Sequence, residues 1–240
     1  MHQLDQALER LASAKTIPQV SDVLAAETAR MGFEWFVYDM LVMPDGWGSE
    51  LVCCNYPKAW VEHYVRERYT RDDIAMNQAM ASVLPVGWSA SKNYRHLTDR
   101  QRMVLDECAD AGLKSGAVVP LHGPGPVKSV LAVSGSLSGD DFNRLFRSRR
   151  HELLLIGTHA HQRILKLGVG RRTPSLVLSP RETEVLTLTA LGDSAAQIAG
   201  RLKISESTTN EYLGYSKKKL GAKNKVHAAS IALSQGLIRL

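Results

Sequence analysis

The stretch LSPRETEVLTLTALGDSAAQIAGRLKISESTTNEYLGYSKKKLGAKNK, residues 178–225, carries three sets of helix start and stop signals in succession. Ser179 can N-cap a helix, Pro180 falls at the first helical position where its missing N–H costs nothing, and Glu182 falls where it can return a capping bond. Val185, Leu186, Leu188 and Thr189 then give an apolar face, and Gly192 stands where a left-handed stop is expected. Ser194 can cap a second, short helix carrying Ala195, Ile198, Ala199 and Leu202, whose small residues let a neighbouring helix approach closely. Lys203 and Ile204 fill a single turn, Ser205 can cap a third helix, and that helix runs through Leu220 to a stop at Gly221. So tight a connection suits the geometry in which the second of two helices enters the major groove of DNA.

Read at 3.6 residues per turn, the third helix places Thr209, Leu213, Ser216 and Leu220 on one face. Ser207, Asn210, Glu211, Gly214, Lys217 and Lys218 fall on the other. The first set is expected to pack and the second to meet DNA. Asn and Glu can bond adenine and cytosine edges in the major groove, while lysines mostly hold phosphates. Gly214 has no side chain to offer there. The plainer alternative is that Lys217 to Lys219 are a solvated helix end favoured by the macrodipole.

Charge distribution supports the DNA reading. The net charge is +6, but residues 163–240 hold 13 Lys and Arg against 5 Asp and Glu, whereas residues 1–162 hold 17 against 19. A basic segment beside a near-neutral one points to nucleic-acid contact by that segment alone, with salt-dependent affinity. A membrane surface is disfavoured as partner, because the lysines lack flanking large apolar anchors. No run of about 18 or more uncharged apolar residues occurs, and MHQLDQALERL lacks a signal-peptide profile, so a cytoplasmic protein is expected. Three cysteines, two of them adjacent at Cys53 and Cys54, do not make a disulfide framework. No Cys or His spacing suggests zinc; His159 and His161 are two apart and diverge on a helix.

The N-terminal part is long and apolar enough, at 44% hydrophobic residues over the chain, to bury a core of its own. Leu4, Leu8 and Leu11, then Val20, Val23, Leu24 and Met31, predict two helices broken near Pro18. Phe33 to Val42 predicts a strand, turned by Gly46 and Gly48 into Leu51 to Asn55 as a hairpin. Pro57 opens a helix, Asp72 or Asp73 begins another through Met80, and Trp88 sits on extended or turn backbone. A helix from Thr98 to Ala111 leads into AVVPLHG and VLAVSGSL, two strands joined at Gly123 to Pro126, and Asp140 to Leu167 closes as a long helix. The fold class expected is α+β, with an antiparallel sheet sandwiched by helices (α-β-α) and followed by a small all-α helix-turn-helix domain. The glycine-rich HGPGPVKS is better read as a hairpin turn than as a phosphate loop, since its prolines remove amide donors and no helix follows.

Between Tyr56 and Trp88 lie Tyr56, Trp60, Tyr64 and Trp88 around Asp73, in a chain only 6% aromatic. Trp60 and Tyr64 are four apart and share a helix face. Apolar walls with a few hydrogen-bonding tips are the usual makeup of a small-molecule pocket. The pattern alone fits plain core packing as well.

Residues 178–226 resemble the DNA-binding domain of LuxR-type regulators. The resemblance is carried by Arg181, Glu182, Glu184, Val185, Leu186, Gly192, Ile198, Ala199, Leu202, Ile204, Ser205 and Thr208, and by the Lys219, Leu220, Gly221 end. Gln197, Thr209 and Tyr212 depart from the usual acidic residue, Val and His. The preceding part resembles the ligand-binding domain of the quorum-sensing branch of that family, through Tyr56, Trp60, Tyr64, Asp73, Trp88 and Gly116. Ile74 stands where proline is usual.

GVGRRTPS, residues 168–175, reads as a linker between domains at 1–167 and 176–240, and the resemblance implies an N-acyl-homoserine lactone autoinducer as ligand. It implies that Asp73 accepts the ligand amide N–H, Trp60 donates its indole N–H to the lactone carbonyl, and Tyr56 donates to the acyl carbonyl. Tyr64 and Trp88 would pack on ring and chain, Gly116 would permit close approach, and Ser134 would add a bond to the carbonyl. On the DNA side the expected residues are Ser207, Thr208, Asn210, Glu211, Lys217 and Lys218. The partners implied are double-stranded DNA, a second copy in a homodimer and RNA polymerase, with no metal, cofactor or catalytic residue.

Two other schemes could use the same output domain. A phosphorylation-controlled regulator needs an acidic cluster, a strand-end Asp and a later Lys; Asp72 and Asp73 lie beside a helix and the other members are missing. A lactone hydrolase could be imagined with Cys53 or Cys54 and His63, but a Cys in a strand is more often a small hydrophobe.

Overall fold

Alternation along three central strands decides which side of the N-terminal unit is sealed and which holds a cavity. The computed structural model describes residues 2–42, 48–90, 94, 96–122, 128–169, 178–234 and 236–240. The chain divides into two compact units with the boundary near residue 170. The first runs α1 (His2–Ser13), α2 (Ile17–Arg30), β1 (Trp35–Val42), β2 (Gly48–Cys54), α3 (Lys58–Arg66), a 3-10 turn (Tyr69–Arg71), α4 (Ile74–Met80), β3 (Val86–Ser89), α5 (Asp99–Asp110), β4 (Ser115–His122), β5 (Lys128–Gly135) and α6 (Gly139–Lys166). The strands form one sheet in the order β2-β1-β5-β4-β3, every neighbouring pair antiparallel.

Phe36, Tyr38 and Met40 of β1, Ala117, Val119 and Leu121 of β4, and Leu131 and Val133 of β5 point to one face. There they bury against α1, α2 and α6. The intervening Val118, Val130 and Ala132 face the other way, toward Trp60 of α3, the residues of α4 and Val104, Leu105 and Cys108 of α5. Two helical layers therefore enclose the sheet, as the sequence predicts. The two first helices are broken near Pro18 as expected: the break falls at residues 14–16, and Pro18 lies in the first turn of α2, after the Thr16 cap, where proline is tolerated. Trp88 is extended as expected, and its segment pairs with β4 as an edge strand that the short, Gly-interrupted sequence does not announce. The turns at Gly46 and Gly123–Pro126, and most of the 168–175 linker, lie outside the described residues.

One polar pair sits inside the α6 side of the core. The Tyr38 hydroxyl and His161 Nδ1 are 2.6 Å apart, and His161 Nε2 has no hydrogen-bond partner among the described residues. Burial, helped by His122, holds the imidazole below its ordinary pKa. The unfolded chain therefore takes up this proton first: the stability is complete above about pH 6.5 and is lost as the pH falls from there toward the folded value. The N-terminal unit should melt at a lower temperature at pH 5.5 than at 7.5, and His161→Asn should flatten that dependence in a differential scanning series.

The second unit runs α7 (Pro180–Ala190), α8 (Ala195–Leu202), α9 (Glu206–Lys219) and α10 (Lys225–Ser234). Ser179 and Glu182 form a reciprocal capping box, Ser194 and Gln197 form another, and Ser205 accepts from Thr208 N. Gln197 thus supplies the capping acceptor where the family usually has an acid. Gly192 has φ +98°, and Lys203 closes the α8–α9 turn at φ +55°, a left-handed value rarely taken by a residue with a Cβ. Val185, Leu186, Ile198 and Leu213 form the core with Ala228, Ala229 and Ala232 of α10, a fourth helix whose alanine face meets α7.

Candidate ligand pocket and nucleic-acid interface

The register across the sheet aligns the first part of the site. Trp35, Ser134, Gly116 and Trp88 lie opposite one another on β1, β5, β4 and β3, and so share one face. Val37, Ala132 and Val118 make the next row on that face. Above this floor, α3, α4 and α5 enclose a cavity of about 100 Å³. Tyr56, Trp60, Tyr64, Asp73 and Trp88 all line it, together with Met76 of α4, Cys108 of α5 and Leu113 of the connection before β4.

The Asp73 carboxylate is held from two sides. Its Oδ1 accepts from Ala75 N and Met76 N at 2.8 and 3.0 Å, capping α4, while Tyr64 donates its hydroxyl to Oδ2 at 2.9 Å. Burial pushes the Asp73 pKa up against the pull of these three bonds. Each oxygen has two acceptor sites, so Oδ2 retains one. Tyr64 therefore does more than pack: it orients the acid, a role that depends on the chain folding back through the 3-10 turn. Ile74, where proline is usual, begins α4 without disturbing the cap.

An aromatic and ionic cluster braces this wall. Trp60 and Tyr64 meet edge to face at 5.9 Å, and Tyr69 packs against both. Tyr69 donates to Glu107 of α5 at 2.7 Å, His63 lies 2.5 Å from the same carboxylate, and Arg100 sits over the Tyr69 ring. His63 thus ties α3 to α5, and Tyr69 and Arg100 tie the 3-10 turn to α5; these long-range contacts are not readable from residue spacing.

Gly116 and Ser134 lie in the floor rather than among the cavity's lining residues. A Cβ at Gly116 would stand 2.1 Å from the Val133 carbonyl oxygen and 2.9 Å from the Trp88 indole nitrogen. The close approach that the glycine permits is thus by the protein's own backbone and by Trp88. Ser134 Oγ is buried near Tyr56, whose pKa burial raises and the Ser134 hydroxyl partly lowers. Cys53 faces the opposite, helix-packed core, where burial pushes its thiol up to about 12. It holds no thiolate at neutral pH and is on the other side of the sheet from His63.

In the second unit the α9 faces divide as expected. Thr209, Leu213 and Ser216 are buried; Ser207, Asn210, Glu211, Gly214, Lys217 and Lys218 are exposed. Thr208 is half-buried, its hydroxyl 2.8 Å from Ser205 Oγ. Tyr215, 56% exposed, joins the outward face and could have been found from its position seven residues after Thr208. Of the three lysines, Lys219 is engaged by Glu182 at 2.7 Å, leaving Lys217 and Lys218 at the free end of the face. Burial works against the Glu182 charge, but Lys219 and the Ser179 amide outweigh it and hold its pKa low.

Among the described residues no helix is long and apolar enough to cross a membrane, and no cluster of His, Cys, Asp and Glu could hold a metal ion. Residues 16–164 match the family described as autoinducer binding domain, and residues 176–232 match that described as bacterial regulatory proteins, luxR family. The chain is similar to the HTH-type quorum-sensing regulator RhlR of Pseudomonas aeruginosa, at 34% identity over 90% of this chain and 88% of that protein. It is similar to the transcriptional activator protein BjaR1 of Bradyrhizobium diazoefficiens, at 28% identity over 96% and 94%. In fold it resembles Escherichia coli SdiA, with a TM-score of 0.81 at 22% identity over 100% of this chain and 99% of that one.

Proposed function

The chain belongs to the luxR family of bacterial regulatory proteins, pairing an autoinducer-binding domain with a helix-turn-helix, and on that premise we propose a ligand-gated transcription factor whose cavity takes an N-acyl-homoserine lactone. The observation that carries this reading is the convergence of Tyr56, Trp60, Tyr64, Asp73 and Trp88 on one cavity. Trp60 donates to the lactone carbonyl, Asp73 accepts the amide N–H, and Tyr56 donates to the acyl carbonyl with Ser134 behind it. Trp88 and Tyr64 flank the ring. Residues 1–167 hold the ligand, 168–175 link, and 176–240 bind DNA. In the cytoplasm, ligand stabilises the first domain by mass action, and a homodimer sets two α9 helices on a two-fold site within reach of RNA polymerase.

Expression with a panel of N-acyl-homoserine lactones, followed by extraction and mass spectrometry, tests the reading. One intact lactone should co-purify; a protein that is stable and empty in every case would overturn it. On DNA, Lys217→Gln and Lys218→Gln should each lower the slope of log affinity against log salt by about 0.9, and weaken all sequences alike. Asn210→Ala should instead cost about 1–3 kcal/mol at one base pair and leave the salt slope unchanged. Titrations of labelled duplexes at several salt concentrations separate the two.

A further inference from the structure

Gly214 stands in the middle of the outward face of α9, and nothing in the fold calls for a glycine there. It lies inside a regular helix, its φ is not positive, and a Cβ built on it would meet nothing within 4 Å. It is exposed. Glycine is the least favourable residue of a helix interior after proline, so this position weakens α9 without relieving strain or crowding inside the domain.

On a helix surface the neighbours of a position are the residues three and four away on either side. For Gly214 these are Asn210, Glu211, Lys217 and Lys218, all exposed and all on the face assigned to DNA. Four long side chains therefore surround a notch whose floor is the Gly214 Cα. The helix ladder engages the amide and carbonyl of Gly214, so the floor offers carbon. With no Cβ in the way, a carbon of the partner can come within about 3.5–4 Å of the helix backbone. Among the groups that base pairs show in the major groove one is apolar, the 5-methyl of thymine. The acceptors of guanine or the amino group of cytosine would lose water over this floor without gaining a partner.

We infer that Gly214 is where α9 comes closest to DNA, and that its notch receives the 5-methyl of one thymine in each half-site. Gly214 is then a specificity-determining position although it has no side chain. The inference rests on α9 being the DNA-reading helix, and the two can fail separately.

The test uses the full chain, expressed with a mixture of N-hexanoyl-, N-octanoyl- and N-decanoyl-homoserine lactones, and a duplex that it selects from a random-sequence library. Each thymine of that duplex is replaced singly by deoxyuridine, which deletes the methyl and keeps the pairing. At one thymine per half-site the Kd should rise about fourfold, the effect of exposing one buried carbon. Gly214→Ala should raise the melting temperature of the second domain by roughly 4–8 °C, because alanine is the better helix former. It should nevertheless bind the selected duplex about tenfold more weakly and no longer distinguish thymine from uracil at that pair. Gly200→Ala, which replaces a glycine of α8 with equally open space around it, is the control and should keep the distinction. A scan in which no methyl matters, or a Gly214→Ala protein that still distinguishes thymine from uracil, would overturn the notch and leave DNA binding standing. A full chain that selects no duplex would overturn both. The deoxyuridine scan with the unaltered chain decides even if Gly214→Ala yields no folded protein.

Discussion

An Asp73→Asn protein should fold, bind DNA through an unchanged second domain, and lose ten- to hundredfold in ligand affinity. The fold should survive because Asn caps helices about as well as Asp, so Oδ1 can keep its bonds from Ala75 N and Met76 N. The loss comes from the other atom. Oδ2 already accepts from the Tyr64 hydroxyl and is the proposed acceptor for the ligand amide; an amide nitrogen there would set donor against donor. Losing a hydrogen bond to a charged group and leaving its partner unsatisfied costs about 1.5–3 kcal/mol, which corresponds to that loss in affinity. Trp60→Phe is the companion, keeping the ring and deleting the N–H. Calorimetric titration, or the lactone dose that gives half-maximal reporter output, measures both. A full response from both variants would sink the assigned roles.

Gly116→Ala should be more damaging than its single methyl suggests. The new Cβ would meet a backbone oxygen, Val133 O, at 2.1 Å, and that oxygen belongs to the β4–β5 pairing at the centre of the sheet. It can retreat only by opening the ladder, and the Trp88 indole nitrogen and Ser134 Cα close off the other directions at 2.9 and 3.1 Å. Overpacking a relaxed core costs about 1–3 kcal/mol, occasionally more. A clash against fixed backbone belongs at the upper end, and at about 2–4 °C per kcal/mol the melting temperature should fall by roughly 10 °C. Trp88 moves with it, so ligand affinity should drop too. A Gly116→Ala protein that melts like the parent would show that the strands do not approach this closely.

How much of this is legible in the sequence depends on the range of the interaction. The second domain reads almost whole from caps and stops, because Ser179, Ser194 and Ser205 each act on amides within three residues, and Gly192 acts on its own φ. The faces of α9 follow from helical period alone. The α10 helix is not announced: its buried face is alanine, which carries little hydrophobic signal until α7 is seen against it. The break near Pro18 is legible, but the pattern leaves open which helix the proline belongs to, because proline ends a helix interior yet suits a first turn.

The sequence by itself determined the elements other than β3 and α10, the polarity of α9 and the cluster of aromatic and acidic residue types between Tyr56 and Trp88, since these depend on local geometry and residue chemistry. Only the tertiary structure decided that those residues line one cavity, that Tyr64 orients Asp73, that Gly116 makes room for backbone and Trp88, and that Lys219 is taken by Glu182. Strand register sets which side chains face a common space, and register is fixed by pairing between segments far apart in the chain, which no local pattern encodes.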